Sequence, residues 1–310
     1  MQEDTGLIFL YGALRSGSTV FRLMLDAHPA ISCSGEVDFI FEHLRKQGDG
    51  WTYHKEGLSR DWIYQESDLG ISASDNGRDV VLNFVNQLKQ RSQGRLVLVV
   101  HRNLEKIAAI FPDAKIIHLI RDPRDVAISC IGMGWAGTTY YAVNNWLEVE
   151  SDWDRFGLTF QKDAVLEVLY ERLISDTAGQ LSEICTFVGV PFSATMLNYP
   201  NHSTYEAPDL STIQRWKNAH RAEDIALLEV RAKQLLLQRR YELSGYPLNP
   251  PTKRERVRIW WENKRYKWKF GLRRYGHVNF IMEKITRKFA RPFHPMFHRR
   301  MHKIWKQHLK

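Results

Sequence analysis

The chain has 310 residues, of which 44% are hydrophobic and 25% charged, with only 11 Pro and 19 Gly. This composition excludes a collagen-like, low-complexity or wholly disordered chain, and the length predicts one or two domains. The three cysteines, Cys33, Cys130 and Cys185, are too scattered for a zinc cage and too few for a disulfide framework. We therefore expect a protein of a reducing compartment without a structural metal.

Positive charge is concentrated near the carboxyl end. Residues 1–251 contain 25 Lys and Arg against 32 Asp and Glu, a net charge of −7, whereas residues 252–310 contain 19 against 3, a net charge of +16. Pro250 and Pro251 lie where the composition changes. We predict an α/β domain over 1–251 and a basic, aromatic-rich helical extension over 252–310.

The first 250 residues alternate short apolar runs with amphipathic stretches, after a polar segment (1–6) from which we expect neither a signal peptide nor a membrane anchor. We therefore expect a cytoplasmic protein. The alternation is typical of an α/β fold with a mostly parallel central sheet flanked by helices. In chain order the pattern predicts a strand at 7–11, a helix at 18–27, a strand at 96–100, a helix at 103–111, strands at 115–120 and 163–170, and helices at 175–188 and 224–241.

A glycine-containing turn joins the first strand to the first helix and reads Gly12-Ala-Leu-Arg15-Ser-Gly17-Ser-Thr19. Backbone N–H groups and the positive end of a helix converge at such a turn, which favours an anion. The spacing of the two glycines matches a P-loop, but Ser18 stands where a P-loop has lysine, and this argues against a P-loop kinase. An ordinary strand-to-helix turn with a surface Arg15 is the alternative.

Three motifs resemble those of sulfotransferases that use 3′-phosphoadenosine 5′-phosphosulfate (PAPS), especially the bacterial and tyrosylprotein branch. The first is Arg15-Ser-Gly-Ser-Thr19 with the later Leu-Asp-Ala-His-Pro29, the second is Arg121-Asp with Ser129 eight residues after the arginine, and the third is Tyr170-Glu-Arg-Leu173. The likeness covers about residues 5–245. It implies a P-loop-like three-layer fold, sulfuryl transfer to an acceptor hydroxyl, and 3′-phosphoadenosine 5′-phosphate (PAP) as the product.

The resemblance also implies which residues bind the donor. Arg15 is the expected cation at the 5′-phosphate and the departing oxygen, while Arg121 and Ser129 hold the 3′-phosphate. Tyr170 contacts the nucleotide, and a basic segment around Trp216 closes over it. The remaining expected contacts are made by Ser16, Gly17, Ser18 and Thr19 in the turn, and by Arg215 and Lys217.

Each of these assignments has an alternative that needs no ligand. Arg121 could form a salt bridge with Asp122 or Asp125, and Tyr170 could be a core tyrosine with its hydroxyl satisfied. The segment around Trp216 could be a helix start with solvated charges. No metal is expected in the site, because a monoanionic sulfuryl group needs less neutralisation than a γ-phosphate does.

Glu36 is the predicted general base, because it lies in a Gly-Glu motif like that of the tyrosylprotein branch. We expect desolvation to raise its pKa towards neutrality. His101, after the strand at 96–100, is the competing candidate, and a first-turn helix acid is the alternative for Glu36. Many relatives have a Lys-x-Pro triplet after that strand, whereas this chain reads His101-Arg102-Asn103. Either His101 or Arg102 would then substitute for the lysine, or the site lacks that contact.

The acceptor is not identified beyond a hydroxyl on a glycan, a lipid-linked sugar, a peptidyl tyrosine or a small alcohol. Residues 48–75 lack a regular pattern but contain four aromatic residues, and we interpret them as an acceptor-binding lid. The extension predicts three amphipathic helices, at 257–268, 278–289 and 297–305. The positive charge of the extension favours a second class of function, which is binding to a polyanion or to an anionic membrane surface. The alternative is packing on the body or on a second subunit of a homo-oligomer.

Overall fold

The computed structural model describes residues 7–72, 74–203, 205–289 and 293–306. The segment 1–6, on which the absence of a leader was predicted, lies outside these ranges. The strands are β1 (Leu7–Gly12), β2 (Ile31–Glu36), β3 (Leu44–Gln47), β4 (Gly50–Tyr53), β5 (Arg95–Val100), β6 (Lys115–Ile120) and β7 (Val165–Leu169). The α-helices are α1 (Ser18–Asp26), α2 (Phe39–Glu42), α3 (Lys55–Leu58), α4 (Trp62–Glu66), α5 (Arg78–Arg91), α6 (Leu104–Ile110), α7 (Pro123–Gly132), α8 (Thr139–Ala142), α9 (Asn144–Phe156), α10 (Tyr170–Ser175), α11 (Thr177–Val188), α12 (Trp216–Ala219), α13 (Ala222–Gln238), α14 (Lys253–Tyr275), α15 (His277–Phe289) and α16 (His294–Lys306).

The chain forms two compact units, of which the first combines residues 7–121 with 145–213. Its centre is a five-stranded sheet in the order β2-β5-β1-β6-β7, and every strand pair is parallel. All six residues of β1 are buried, as a strand covered on both faces requires. The predicted α/β fold with a mostly parallel sheet is confirmed.

Residues of β1 alternate between two apolar layers. Ile8 and Leu10 belong to a core that includes residues of α1 and α11, whereas the Phe9 ring lies 6.0 Å from Phe41 and 5.7 Å from Phe111. Side chains of successive strand residues point to opposite faces, so one short strand serves both layers. The sheet is therefore the middle of three layers in this unit.

The register of the strands shows that the carboxyl ends of β1, β5 and β6 lie side by side. Tyr11 of β1 is paired with Val100 of β5, and Gly12 is paired with Leu119 of β6. The residues that follow β1, β5 and β6 in the chain therefore leave the sheet at one edge, where parallel α/β proteins bind their ligands.

The second unit combines residues 122–144 with 214–306 and consists of helices in the described part. Its helix α14 begins at Lys253, and Thr252 and Glu255 form a capping box at its N-terminus. Helix α15 packs on α14, where Phe280 contacts Gly271 and lies 5.3 Å from Trp268. No helix in the described ranges is both long enough and apolar enough to cross a bilayer.

Three predicted segments differ from the structure, and one of them is the helix predicted at 257–268, which is longer because α14 spans Lys253–Tyr275. The strand predicted at 163–170 is shorter, because Lys162–Ala164 is a 3₁₀ turn and Tyr170 begins a helix. The irregular segment 48–75 contains part of an antiparallel hairpin, β3–β4, followed by the short helices α3 and α4. Ala73 is outside the described residues, and the role of this segment as a lid stays a prediction.

Candidate active site

The turn between β1 and α1 can exist only because two of its residues are glycine. A Cβ on Gly12 would lie 2.4 Å from the Leu119 carbonyl oxygen of the neighbouring strand. Gly17 has φ 95°, and its Cβ would lie 2.3 Å from the Tyr170 ring. Arg15 also adopts a positive φ of 73°. The turn is thus held in a backbone conformation that ordinary side chains rarely adopt.

This turn presents hydrogen-bond donors at the start of α1. Gly17 is the N-cap and supplies no side-chain cap, and no acidic residue lies in the first turn of the helix. The N–H groups of the first helical residues have no acceptor within the helix, so they remain available for an anion. Ser16 is fully buried, and its Oγ has no hydrogen-bond partner among the described residues.

Replacing Gly17 with Ala is expected to destabilise the protein and to weaken nucleotide binding. The positive φ alone costs Ala about 1–2 kcal/mol, and the overlap with the Tyr170 ring adds to this. Gly48→Ala is the matched control, because Gly48 has a similar φ of 57° but no atom within 4 Å of the added Cβ. The measurement is Tm with and without PAP. An equal loss of Tm in both variants, with PAP binding intact, would contradict the role of the turn.

Arg121, which follows β6, is a buried cation whose hydrogen-bond partners are carbonyl groups. Its Nη1 donates to the Arg15 carbonyl at 3.3 Å, and its Nη2 donates to the Thr212 carbonyl at 2.8 Å. Only 8% of the residue is exposed, and Nε has no hydrogen-bond partner in the described part of the chain. The salt bridge predicted as its alternative does not form: Asp122 pairs with Arg124, and Asp125 accepts from backbone N–H groups.

Tyr170 connects Arg121 to the glycine turn. The Arg121 guanidinium lies 4.1 Å from the centroid of the Tyr170 ring, and the same ring faces Gly17. The Tyr170 hydroxyl is 3.2 Å from Thr212 Oγ1. Tyr170 is therefore a buried tyrosine with a satisfied hydroxyl, which was the alternative to a nucleotide contact. Its ring also packs against the glycine turn and Arg121, the two elements predicted to bind phosphate. Thr212 contacts both Arg121 and Tyr170, a role that the sequence did not reveal.

Glu36 and His101, predicted as competing bases, form one pair. His101 Nε2 lies 3.4 Å from Glu36 Oε1, and His101 Nδ1 lies 2.7 Å from the Gly12 carbonyl oxygen. Because a carbonyl only accepts hydrogen bonds, Nδ1 carries a proton and Nε2 faces the carboxylate. His101 is 1% exposed, whereas the Glu36 side chain is 47% exposed. The pair therefore has a buried member and a member that contacts solvent.

The expectation that burial raises the pKa of Glu36 is wrong. Contact with His101 lowers the pKa of Glu36 more than burial raises it, and the positive charges of Arg102 and Arg15 lower it further. For His101, burial lowers the pKa, but Glu36 and the buried Asp38 outweigh it and the pKa is raised. Asp38 also accepts from the His101 backbone N–H at 2.9 Å. The contact between the two side chains therefore favours the ionised carboxylate of Glu36 and the protonated form of His101.

Arg102, one of the two candidates to substitute for the missing lysine, is engaged in ion pairs, and its role stays a prediction. Its Nη2 lies 2.7 Å from Glu42 Oε1, and its Nε lies 3.9 Å from Asp38 Oδ1. The side chain is 57% exposed. Arg102 is therefore the outer cation of an ion-pair group around Asp38 and Glu42.

Three predicted nucleotide contacts belong to the second unit. Ser129 is half-buried within α7, and Arg215 and Lys217 are exposed on either side of the buried Trp216. Whether they share a ligand with Arg121 stays a prediction. No group of three His, Cys, Asp or Glu in the described ranges is arranged to hold a metal ion, and metal independence also stays a prediction.

A buried polar network that the sequence did not reveal holds the Trp216 segment. The Trp216 indole N–H donates to Asp122 at 3.1 Å, and its backbone N–H donates to Asp125 at 2.9 Å. Arg124 stacks on the indole at 4.0 Å and pairs with Glu229 at 2.8 Å. These contacts hold Trp216 at the start of α12, between Arg215 and Lys217 in the chain.

Comparisons with known proteins identify the family of the chain. The profile described as "Sulfotransferase family" matches residues 8–194, more than half of the chain. Protein-tyrosine sulfotransferase 1 of Danio rerio is 26% identical over 213 residues, which are 64% of this chain and 57% of that relative. A sulfotransferase domain from the olefin synthase of Synechococcus PCC 7002 is 25% identical and has a TM-score of 0.51, covering 73% of this chain and 94% of that domain.

The fold is also similar to that of a sulfotransferase domain from the curacin biosynthetic pathway. Its TM-score is 0.57 at 19% identity, and the match covers 76% of this chain and 98% of that domain. The match to the family profile includes β1, the glycine turn, β6 and Tyr170. The chain therefore belongs to the sulfotransferase family, as its motifs indicated, and it is a transferase of sulfuryl groups.

Proposed function

We propose that the first unit binds PAPS between the glycine turn and Arg121 and transfers its sulfuryl group to an acceptor hydroxyl. The observation that carries this proposal is the state of Arg121. A buried cation is costly unless an opposite charge compensates it, yet its described hydrogen-bond partners are neutral carbonyls. A phosphate supplies that charge, and a guanidinium can bind it with two parallel hydrogen bonds.

The residues at this edge fit a ligand with several anionic oxygens. Two of their buried polar atoms, Ser16 Oγ and Arg121 Nε, have no hydrogen-bond partner among the described residues. When bound, PAPS supplies the sulfuryl group and a phosphate that leaves with the bridging oxygen. The first N–H groups of α1 and the Arg15 guanidinium would stabilise negative charge on the departing phosphate. Arg121 would hold the 3′-phosphate.

Glu36 would act as the general base. Its carboxylate is ionised and partly exposed, so a hydroxyl can approach the oxygen that is not turned towards His101. In the transfer, the acceptor oxygen forms a bond to sulfur, the bond from sulfur to the phosphate oxygen breaks, and the hydroxyl proton passes to Glu36. The low pKa of Glu36 makes it a weaker base but keeps it ionised at neutral pH. His101 would position this carboxylate.

The acceptor class is tested by an activity screen. The expected result is transfer of labelled sulfate from PAPS, in buffer with EDTA, to a tyrosine peptide, a glycan, a lipid-linked sugar or a small alcohol. The tyrosine peptide is the first choice, because the Danio rerio relative is named a protein-tyrosine sulfotransferase. Stabilisation by Mg-ATP and not by PAP would contradict the proposal and favour a kinase.

A second function is favoured by the extension at 252–310. This extension combines a net charge of +16 with exposed apolar side chains. Helix α14 exposes Trp261 and Trp268 at 62% and 49%, and α15 exposes Val278 and Phe289 at 68% and 76%. Amphipathic helices such as α15 and α16 bind anionic bilayer surfaces. We propose that the extension attaches the enzyme to the cytoplasmic face of a membrane. A homo-oligomer and a polyanion partner stay predictions.

A further inference from the structure

The second unit contains a groove that is lined by several positively charged side chains. The groove has a volume of about 520 Å³ and lies between α14, α15 and the residues that follow α7. Its lining includes five aromatic side chains and no Asp or Glu. The cations that line it are Lys264, Lys267, Lys284 and Arg287.

Two glycines make this groove a packed feature of the unit. A Cβ on Gly134 would lie 2.1 Å from the Phe270 ring, and a Cβ on Gly271 would lie 2.1 Å from the Phe280 ring. Both aromatic rings therefore approach the backbone of another segment closely. The walls of the groove are held by these contacts rather than by solvated side chains.

Among the four cations, Lys284 lies next to two aromatic rings. Its Nζ lies 4.7 Å from the centroid of Phe280 and 5.7 Å from that of Trp268, so two aromatic rings border the ammonium group. Burial lowers the pKa of Lys284, and the neighbouring Arg287, Lys267 and Lys264 lower it further, against the opposing effect of Glu283. The cations are therefore close enough to repel one another.

Little negative charge balances this cluster within the protein. Arg287 Nε lies 3.8 Å from Glu283 Oε1, so this cation has an acidic partner. In the described part of the chain, no carboxylate lies within ion-pair distance of the ammonium groups of Lys264, Lys267 or Lys284. Three positive charges around one groove favour an anionic ligand.

The surroundings of the groove favour a ligand in a bilayer. Trp135 and Trp268, both in the lining, are 37% and 49% exposed, and Ile281 and Ile285 on α15 are 39% and 43% exposed. Half-exposed tryptophans beside lysines are typical of a protein surface at the headgroup level of a membrane. A ligand that is free in solution would not need this apolar surround.

We infer that this groove binds the phosphate headgroup of an anionic membrane lipid while the exposed apolar side chains of α14 and α15 enter the headgroup region. The inference rests on the proposed attachment of the extension to a membrane, and it adds a specific headgroup site. The ammonium groups of Lys267 and Lys284 would bind the phosphate oxygens.

The test compares two double variants of the full chain that lose the same charge. Lys267→Gln with Lys284→Gln removes two cations of the groove, whereas Lys269→Gln with Lys288→Gln removes two exposed cations of the same helices outside it. Binding is measured to vesicles of phosphatidylcholine containing one third phosphatidylglycerol, and to pure phosphatidylcholine. We expect the groove variant to lose at least ~10-fold more affinity than the control, since charge-assisted hydrogen bonds are lost.

Thermal stabilisation by PAP and the Tm of each variant show whether the protein remains folded. If the double variant is unfolded, Lys267→Gln is compared with Lys269→Gln, because both lysines are exposed. Equal losses in the matched variants would overturn the headgroup site while leaving general membrane attachment intact. If the wild-type protein does not bind the anionic vesicles, both the headgroup site and the membrane attachment are overturned. Preferential binding of heparin or soluble glycerol phosphate, sensitive to the same lysines, would assign the groove to a ligand in solution.

Discussion

Replacement of Glu36 by Gln is expected to lower kcat by ~10²- to 10⁴-fold while the affinity for PAP changes little. The amide cannot accept the hydroxyl proton, whereas the nucleotide is bound by the glycine turn and Arg121. The measurement is kcat with the acceptor found in the screen, together with PAP titration. Glu42→Gln is the matched control, because it removes a carboxylate whose described partner is Arg102. Wild-type turnover in Glu36→Gln would assign proton removal to another group, with His101 as the first candidate.

The same substitution should change how stability depends on pH. The folded pKa of Glu36 is lowered from its ordinary value of 4.5, so its contribution is present above that value and is lost as pH falls through the lowered pKa. The folded pKa of His101 is raised from 6.5, so its contribution is complete below 6.5 and is lost as pH rises through the raised pKa. We expect the ion pair to stabilise the protein most between these ordinary values. Glu36→Gln should flatten this part of the pH profile of Tm.

Arg121→Ala is expected to weaken PAP binding by ~10- to 100-fold, since charge-assisted hydrogen bonds to a phosphate are worth about 1.5–3 kcal/mol each. Without nucleotide, the variant should have a Tm equal to or above that of the wild type, because the substitution removes a buried charge whose described hydrogen-bond partners are carbonyls. Thermal unfolding with and without PAP in EDTA measures both effects.

Two further variants separate binding from packing. Arg78→Ala is the control, because Arg78 also donates to a carbonyl, that of Ile110, but lies on α5. It should retain the full shift in Tm that PAP produces. Arg121→Lys keeps the charge without the guanidinium geometry and should give an intermediate affinity. An Arg121→Ala protein that is destabilised without PAP but binds it normally would show that Arg121 has only a structural role.

The sequence by itself determined the parallel sheet and the position of the anion-binding turn. Strands buried on both faces are mostly apolar, so β1, β5 and β6 are visible as short hydrophobic runs. The turn is visible because Gly12 and Gly17 are needed within a few residues of each other, where close approach and a positive φ exclude other residues. Both signals are local, which is why they can be read without the fold.

Tertiary structure alone decided how the predicted side chains combine. Glu36 and His101 are 65 residues apart in the sequence, and they meet because β2 pairs with β5 and Glu36 is in register with Val99. The order of strands in a sheet follows from long-range packing, so it cannot be deduced from the pattern of either strand. The pKa of Glu36 was predicted in the wrong direction for the same reason: burial of a residue type can be anticipated, but the charge of a distant neighbour is set only when the strands pair.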